Sequence, residues 1–351
     1  MAPSDPPLGR PEPSTAQTQI ERALLTEDTV TDWLIYRGTG AQHDSIAELP
    51  PAPPWRTFGR DATERKLGQA STYQPSQKEI ELVNAALYLR RPLLVTGKPG
   101  TGKSTLAHSV ARELKLGSVL YWPITSRLTL HDGLYKYDAI ARLQDTNLWN
   151  DTHAGDPPKI GRYLRLGPLG TAFLPSDRPR VLLIDELDKS DIDLPNDLLT
   201  IFEEGEYEIP ELVRLAETEP QVEVAAFRDH GRAVIDGGVV RCREFPLVVI
   251  TSNEERDFPP AFLRRCLQLK IAQPDRQRLA DIVRAHLGDE ALGQSEALIE
   301  EFFERRRSAE GDLATDQLLN AIYLRFNNAW PGELSQLAEV IMKQLRTGAN
   351  G

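Results

Sequence analysis

The stretch GKPGTGKS, 97–104, satisfies the spacing G-x-x-x-x-G-K-[ST], and it stands between an apolar run, LLVT at 93–96, and a helical periodicity through Leu106, Val110 and Leu114. Strand, glycine loop and helix come in the order a phosphate cradle needs. Gly97, Gly100 and Gly102 let the backbone curl so that successive N–H groups and a helix N-terminus face an anion. Lys103 is expected to reach the β and γ phosphates of a bound nucleotide as a point charge, and the Ser104 hydroxyl to ligate Mg²⁺. Lys98, Pro99, Thr101 and Thr105 complete the expected binding loop, with Lys98 at a variable position that carries no charge role of its own.

A second apolar run, VLLI at 181–184, ends in Asp185 and Glu186. Ligands of parallel sheets bind outside the carboxyl ends of the strands. Two adjacent carboxylates there divide the work: Asp185 holds Mg²⁺, directly or through water, and Glu186 polarises the water that attacks the γ-phosphate. The bland alternative is a solvated acidic turn, since carboxylates such as Asp188 and Glu203 are abundant nearby. A third run, LVVI at 247–250, leads to Asn253, whose amide suits a hydrogen bond to the attacking water or the γ-phosphate, although an Asn after a strand is often only a turn residue.

The elements that must position these residues follow from periodicity. Ile80, Val83, Ala86 and Leu87 at helical spacing predict a helix over 74–91 that feeds the LLVT strand, and further strands are expected at 118–122 and 267–271. Helix-like stretches between most of the strands predict an α/β fold with a parallel-sheet core flanked by helices. After Pro274 only helical patterns remain, through Leu279/Ile282/Val283, Leu298/Ile299/Phe302, Leu318/Leu319/Ile322 and Leu334/Leu337/Ile341/Leu345. The expected domains are a disordered Pro-rich tail at 1–17, an N-terminal extension without assigned role at 18–72, a nucleotide-binding domain at 73–272 and an all-helical domain at 273–351.

Three polar strand ends in this order resemble the AAA+ ATPases over roughly residues 75–345. The resemblance implies a P-loop NTPase with a C-terminal helical lid, ATP and Mg²⁺ as cofactors, and assembly into a hexameric ring of identical subunits. Within it Asn253 takes the sensor 1 position, and Arg264 and Arg265, in PPAFLRRC, stand where an arginine finger completes a neighbouring subunit's site, Arg265 in the better alignment. A surface pair at a helix end is the plain alternative for these two arginines. RLGPLGTAF, 165–173, and an insert at 130–159 are similar to the MoxR branch. A hairpin formed by QVEVAAF and RAVIDGGVVRC around Asp229, His230 and Gly231 matches one this branch carries before sensor 1, either to project toward a partner or to cover the sheet edge. One position departs from the pattern: where the lid usually offers a sensor 2 arginine, this chain has Gln317.

The resemblance implies that ATP turnover remodels or activates a partner protein in a chaperone-like way, with a von Willebrand A domain protein as the class of client. The alternative is a slow-hydrolysing nucleotide switch or scaffold in a multi-protein signalling system. A nucleic-acid motor ranks lowest, because 41 basic against 52 acidic residues leave a formal charge of −11 and no basic, aromatic-rich tract occurs. Apolar residues make up 40% of the 351, and no apolar run is long enough to span a membrane, so a soluble, cytoplasmic chain is expected. Cys242 and Cys266 lie far apart without ligand spacing, which disfavours zinc and a disulfide framework. Tyr73 is expected to stack on adenine and Tyr88 to pack in the core, while Arg305, Arg306 and Arg307 read as an ion-paired helix face.

Overall fold

The computed structural model describes residues 34–53, 56, 70, 73–153, 157–308, 313–327 and 329. The expected tail at 1–17, most of the extension at 18–72 and the helix through Leu334 and Leu345 lie outside the described residues. Two compact units emerge, one of residues 54–286 and one that combines 1–53 with 287–351.

In the larger unit, helix α1 (Gln77–Leu89) starts at Ser76, whose hydroxyl accepts the N–H of Glu79, and stops at Arg90 in a left-handed conformation. Strand β1 (Leu93–Thr96) then leads through the glycine loop into α2 (Lys103–Glu113). Strand β2 (Leu120–Pro123) is followed by α3 (Leu130–Leu134), β3 (Tyr135–Tyr137), α4 (Ala139–Thr152), β4 (Leu164–Leu166) and α5 (Pro168–Ala172). Next come β5 (Val181–Asp185), α6 (Leu194–Glu204), β6 (Glu206–Glu208), α7 (Pro210–Val213), β7 (Gln221–Ala225), β8 (Arg232–Asp236) and β9 (Val239–Arg241). Strand β10 (Leu247–Ser252), α8 (Pro260–Arg265), β11 (Leu267–Lys270) and the start of α9 (Arg276–Gly293) complete the unit.

Five strands form the central sheet in the order β11-β1-β10-β5-β2, all parallel. Its three middle strands, β1, β10 and β5, read as near-continuous apolar runs because both faces are covered, and alternate residues serve opposite cores. Leu93, Val95, Val181, Leu183, Leu247 and Val249 pack with Val83 and Ala86 of α1 and Leu106 and Ala107 of α2. Leu94, Leu182, Ile184, Val248 and Ile250 point the other way, into a core shared with Phe173, Leu198 and Phe262. Each fully buried side chain of this size contributes about 1.5–3 kcal/mol from removed apolar surface, so the three central strands anchor the domain.

The expected hairpin forms, with Ala225 paired to Arg232 and Gln221 to Asp236, but its setting was not foreseen. Its strands are the middle of a second, six-stranded sheet in the order β3-β4-β7-β8-β9-β6, and neither strand pairs with the central sheet. The 130–159 segment supplies β3 and α4; no residue of α4 is buried, and Ile140, Leu143 and Leu148 are exposed on it. Tyr88 corrects its expectation: it is 82% exposed, because the buried positions of α1 are Glu79, Val83 and Ala86 and Tyr88 falls off that stripe.

In the smaller unit, α10 (Glu296–Ser308) and α11 (Thr315–Phe326) bury Leu298, Phe302, Leu318 and Ile322, and the Tyr323 hydroxyl donates to the Pro51 carbonyl. Arg305 pairs with Glu301 one turn away at 2.6 Å, as an ion-paired helix face requires. Gln317 accepts the Ala314 N–H at 2.9 Å and so closes the first turn of α11. Helix α9 is interrupted at Gly288, whose φ of 88° and ψ of 172° are not helical, just past the division between the units.

Candidate active site

Register explains why the three polar strand ends meet. Thr96 of β1 lies beside Ser252 of β10, and Ile250 of β10 lies beside Ile184 of β5, so the loops that follow open at one level of the sheet. From β1 the chain turns through Gly97, Gly100 and Gly102, with φ values of 149°, 74° and 88°. A side chain on Gly97 would meet the Ile271 carbonyl at 2.5 Å, and one on Gly102 would meet the Tyr73 ring at 2.9 Å. No side chain caps α2 at Gly102, and a helix N-terminus of this kind suits an anion.

Lys103 folds back over the loop. Its ammonium donates to the carbonyls of Gly97 (2.7 Å) and Lys98 (2.9 Å) and to Asn253 Oδ1 (2.8 Å). Burial pushes this lysine below its usual range, while the carboxylates of Asp185, Asp188, Glu186 and Glu254 pull it back up. The Asn253 amide in turn donates to Glu186 Oε1 at 3.2 Å, so one side chain bridges the loop lysine and the strand-end acid. Glu186 is also held by Lys189, at 2.8 Å from Oε2. Its backbone is left-handed (φ 60°), a conformation that costs a non-glycine residue about 1–3 kcal/mol and gathers at working sites. The Glu186 N–H donates to Thr251 Oγ1 at 2.9 Å, which fixes that turn.

A second cluster forms on Asp185. Its Oδ1 accepts from Ser104 Oγ and from Thr251 Oγ1, both at 2.6 Å, and its Oδ2 accepts from the Tyr121 hydroxyl at 3.2 Å. Burial with Asp185 alongside pushes the Tyr121 phenol up to about 12. Ser104, Thr251 and Asp185 offer hard oxygen donors, the kind Mg²⁺ takes when phosphates and water supply the rest of its shell. Arg264 and Arg265 stand at the C-terminal end of α8. Arg265 pairs with Glu203 of α6, Arg264 donates to the Pro260 carbonyl at 3.3 Å, and Arg91 donates to both of their carbonyls.

Residues 92–266 match the family model of the AAA domain (dynein-related subfamily). The chain carries an AAA+ ATPase domain. Its matched segment takes in Lys103, Ser104, Asp185, Glu186, Asn253, Arg264 and Arg265, roughly half of the chain in all. Among solved structures, NtrX from Brucella abortus in complex with ADP aligns at 15% identity and a TM-score of 0.31, over 95% of this chain and 56% of its own. The chain thus spans little more than half the length of that structure. No curated protein matches.

Sequence reasoning missed four residues that the AAA+ domain sets around the site. Tyr121 lies in a predicted strand and Thr251 just past one, with no chemical role expected of either, yet their hydroxyls donate to Asp185. Glu79, buried on α1, accepts from Tyr73 OH at 2.6 Å, Ser76 Oγ at 2.9 Å and Arg278 at 3.3 Å, and so holds the Tyr73 ring beside Gly102. Asp188, 5% exposed, accepts the backbone N–H groups of Asn253 at 2.9 Å and Glu255 at 3.1 Å. The spacing Ser76-x-x-Glu79 just ahead of an apolar helix repeat was the available signal for Glu79; Asp188 was hidden among many neighbouring acids. Among the described residues no helix is long and apolar enough to cross a membrane.

Proposed function

We propose that this protein binds ATP with Mg²⁺ and hydrolyses it, as a MoxR-like member of the AAA+ ATPases, and that turnover in a hexameric ring remodels or activates a partner protein. The observation that carries the hydrolytic reading is the Asn253 amide held between Lys103 and Glu186. On this reading the loop 97–105 and the first turn of α2 seat the triphosphate, and Lys103 exchanges its carbonyl partners for the β and γ phosphates. Ser104 and Asp185 would hold Mg²⁺, which when bound neutralises phosphate charge. Glu186 accepts a proton from water as the water oxygen bonds to the γ-phosphorus. The bond from that phosphorus to the bridging oxygen breaks, and ADP leaves with the electron pair. Asn253 orients the water and the γ-phosphate oxygens.

Arg265 is proposed to release Glu203 and reach into the neighbouring subunit's site, where a guanidinium offsets charge on the transferred phosphoryl. The nucleotide-binding domain is proposed to span 73–272 and the lid 273–351, in a cytoplasmic protein whose client is a von Willebrand A domain protein. That client and the ring rest on the family resemblance alone. A slow switch is the second reading, favoured by the side chain of Gln317, a neutral amide that caps its own helix where an arginine is usual.

Steady-state ATP hydrolysis measured against protein concentration tests the assembly. Turnover per subunit that rises as subunits associate is expected, because Arg265 then completes a shared site. Turnover independent of concentration, down to protein that is monomeric by sedimentation, would contradict the ring.

A further inference from the structure

The loop that carries Asn253 has no strand or helix to hold it, since β10 ends at Ser252 and α8 starts at Pro260. Side chains take up its N–H groups instead. Ser252 Oγ accepts from Glu254, and Asp188 Oδ2 accepts from both Asn253 and Glu255. Glu254 between them is left-handed (φ 63°), which aims the two flanking N–H groups at one oxygen. The Glu254 carboxylate faces away, onto Lys270 at 2.8 and 3.0 Å.

Asp188 sits in the turn Leu187–Lys189 directly after Glu186. A short stretch therefore carries the acid of the site at one end and the anchor of the Asn253 loop at the other, and the Asn253 amide so placed donates to Glu186 Oε1 at 3.2 Å. Asp188 is also costly. It is 5% exposed, and its Oδ1 has no hydrogen-bond partner among the described residues, whereas carboxylates are rarely buried without full pairing. A neutral polar residue would cap an ordinary loop at lower cost. Two N–H groups on one charged oxygen make a stiffer tie than neutral hydrogen bonds do.

We propose that Asp188 is a positioning residue that fixes Asn253 against Glu186 through the Asn253 and Glu255 backbone, so that it governs the rate of ATP turnover and leaves nucleotide affinity largely alone. This rests on the hydrolase reading. Asp188 touches neither Lys103 nor the glycine loop by hydrogen bond; its two bonded partners both belong to the Asn253 loop.

The test compares Asp188→Ala, Asp188→Asn, Asn253→Ala and the double variant Asp188→Ala/Asn253→Ala in the full chain, reading kcat, the Kd for ADP and the melting temperature. Asp188→Ala is expected to lower kcat at least about tenfold with the ADP Kd within about threefold of wild type. Asp188→Asn keeps an oxygen for both N–H groups without the charge and should fall between Asp188→Ala and wild type. The double variant should turn over no more slowly than Asn253→Ala alone, because Asp188 acts through Asn253. If Asp188→Ala fails to fold, Asp188→Ser, whose shorter side chain reaches at most one of the two N–H groups, carries the same comparison. An unchanged kcat, a loss of ADP affinity in step with kcat, or full additivity with Asn253→Ala would overturn the proposal. Wild-type protein without ATPase activity would instead overturn the hydrolase reading on which it rests.

Discussion

Gly102 shows how narrowly the site is drawn at the scale of one residue. It is the last residue before α2, with φ at 88°, and the Tyr73 ring lies where its side chain would begin. An alanine there would pay about 1–2 kcal/mol for the left-handed backbone and would push against a ring that Glu79 holds by its hydroxyl. Gly102→Ala should therefore weaken ATP binding at least about tenfold in a direct titration, and wild-type affinity would contradict the close approach. Glu79 and Tyr73 also show what a sequence hides: a partner six residues away has no pattern of its own when the bond depends on where a buried helix face lands. Gly97, Lys103, Ser104, Asp185 and Glu186 were singled out in the sequence because phosphate-binding chemistry favours those types at that spacing. Thr251 and Asp188 were not, since their partners stand 66 and 65 residues away in the sequence.

Elements were most readable where they are most buried. The runs at 93–96, 181–184 and 247–250 become β1, β5 and β10, fully covered on both faces, and no short helix competes for so few β-branched and leucine residues bounded by turns. Alternation assigns Leu183 to the core beneath α1 and α2. Leu183→Ala should cost about 2–5 kcal/mol in denaturant unfolding, because the surrounding helices cannot collapse onto the space. Tyr88→Ala, at an exposed position, should stay within about 0.5 kcal/mol of wild type, and a large effect there would contradict its placement. The second sheet was the least readable element. Its strands are three to five residues long, and β4 joins β7 through a single pair, Arg165 with Ala225. Such pairings depend on the fold already being in place.

At the scale of the molecule, the two compact units divide at residue 286, and the first non-helical residue of α9 follows at Gly288. The smaller unit gathers chain from both ends of the sequence, which periodicity along the chain has no means to reveal. The larger unit holds all the polar strand ends, so the chemistry proposed here depends on it. Against a formal charge of −11, Lys103 is a buried cation of the larger unit among the described residues, and the proposal sets it against the triphosphate. The central claim is that Glu186 activates water for ATP hydrolysis. The most direct measurement is ATP turnover by wild type and Glu186→Gln side by side, with Mg²⁺ and ATP binding followed in the same preparations. Binding should persist in Glu186→Gln while hydrolysis falls at least about a hundredfold, as the loss of a general base requires. Equal turnover in the two proteins would contradict the account.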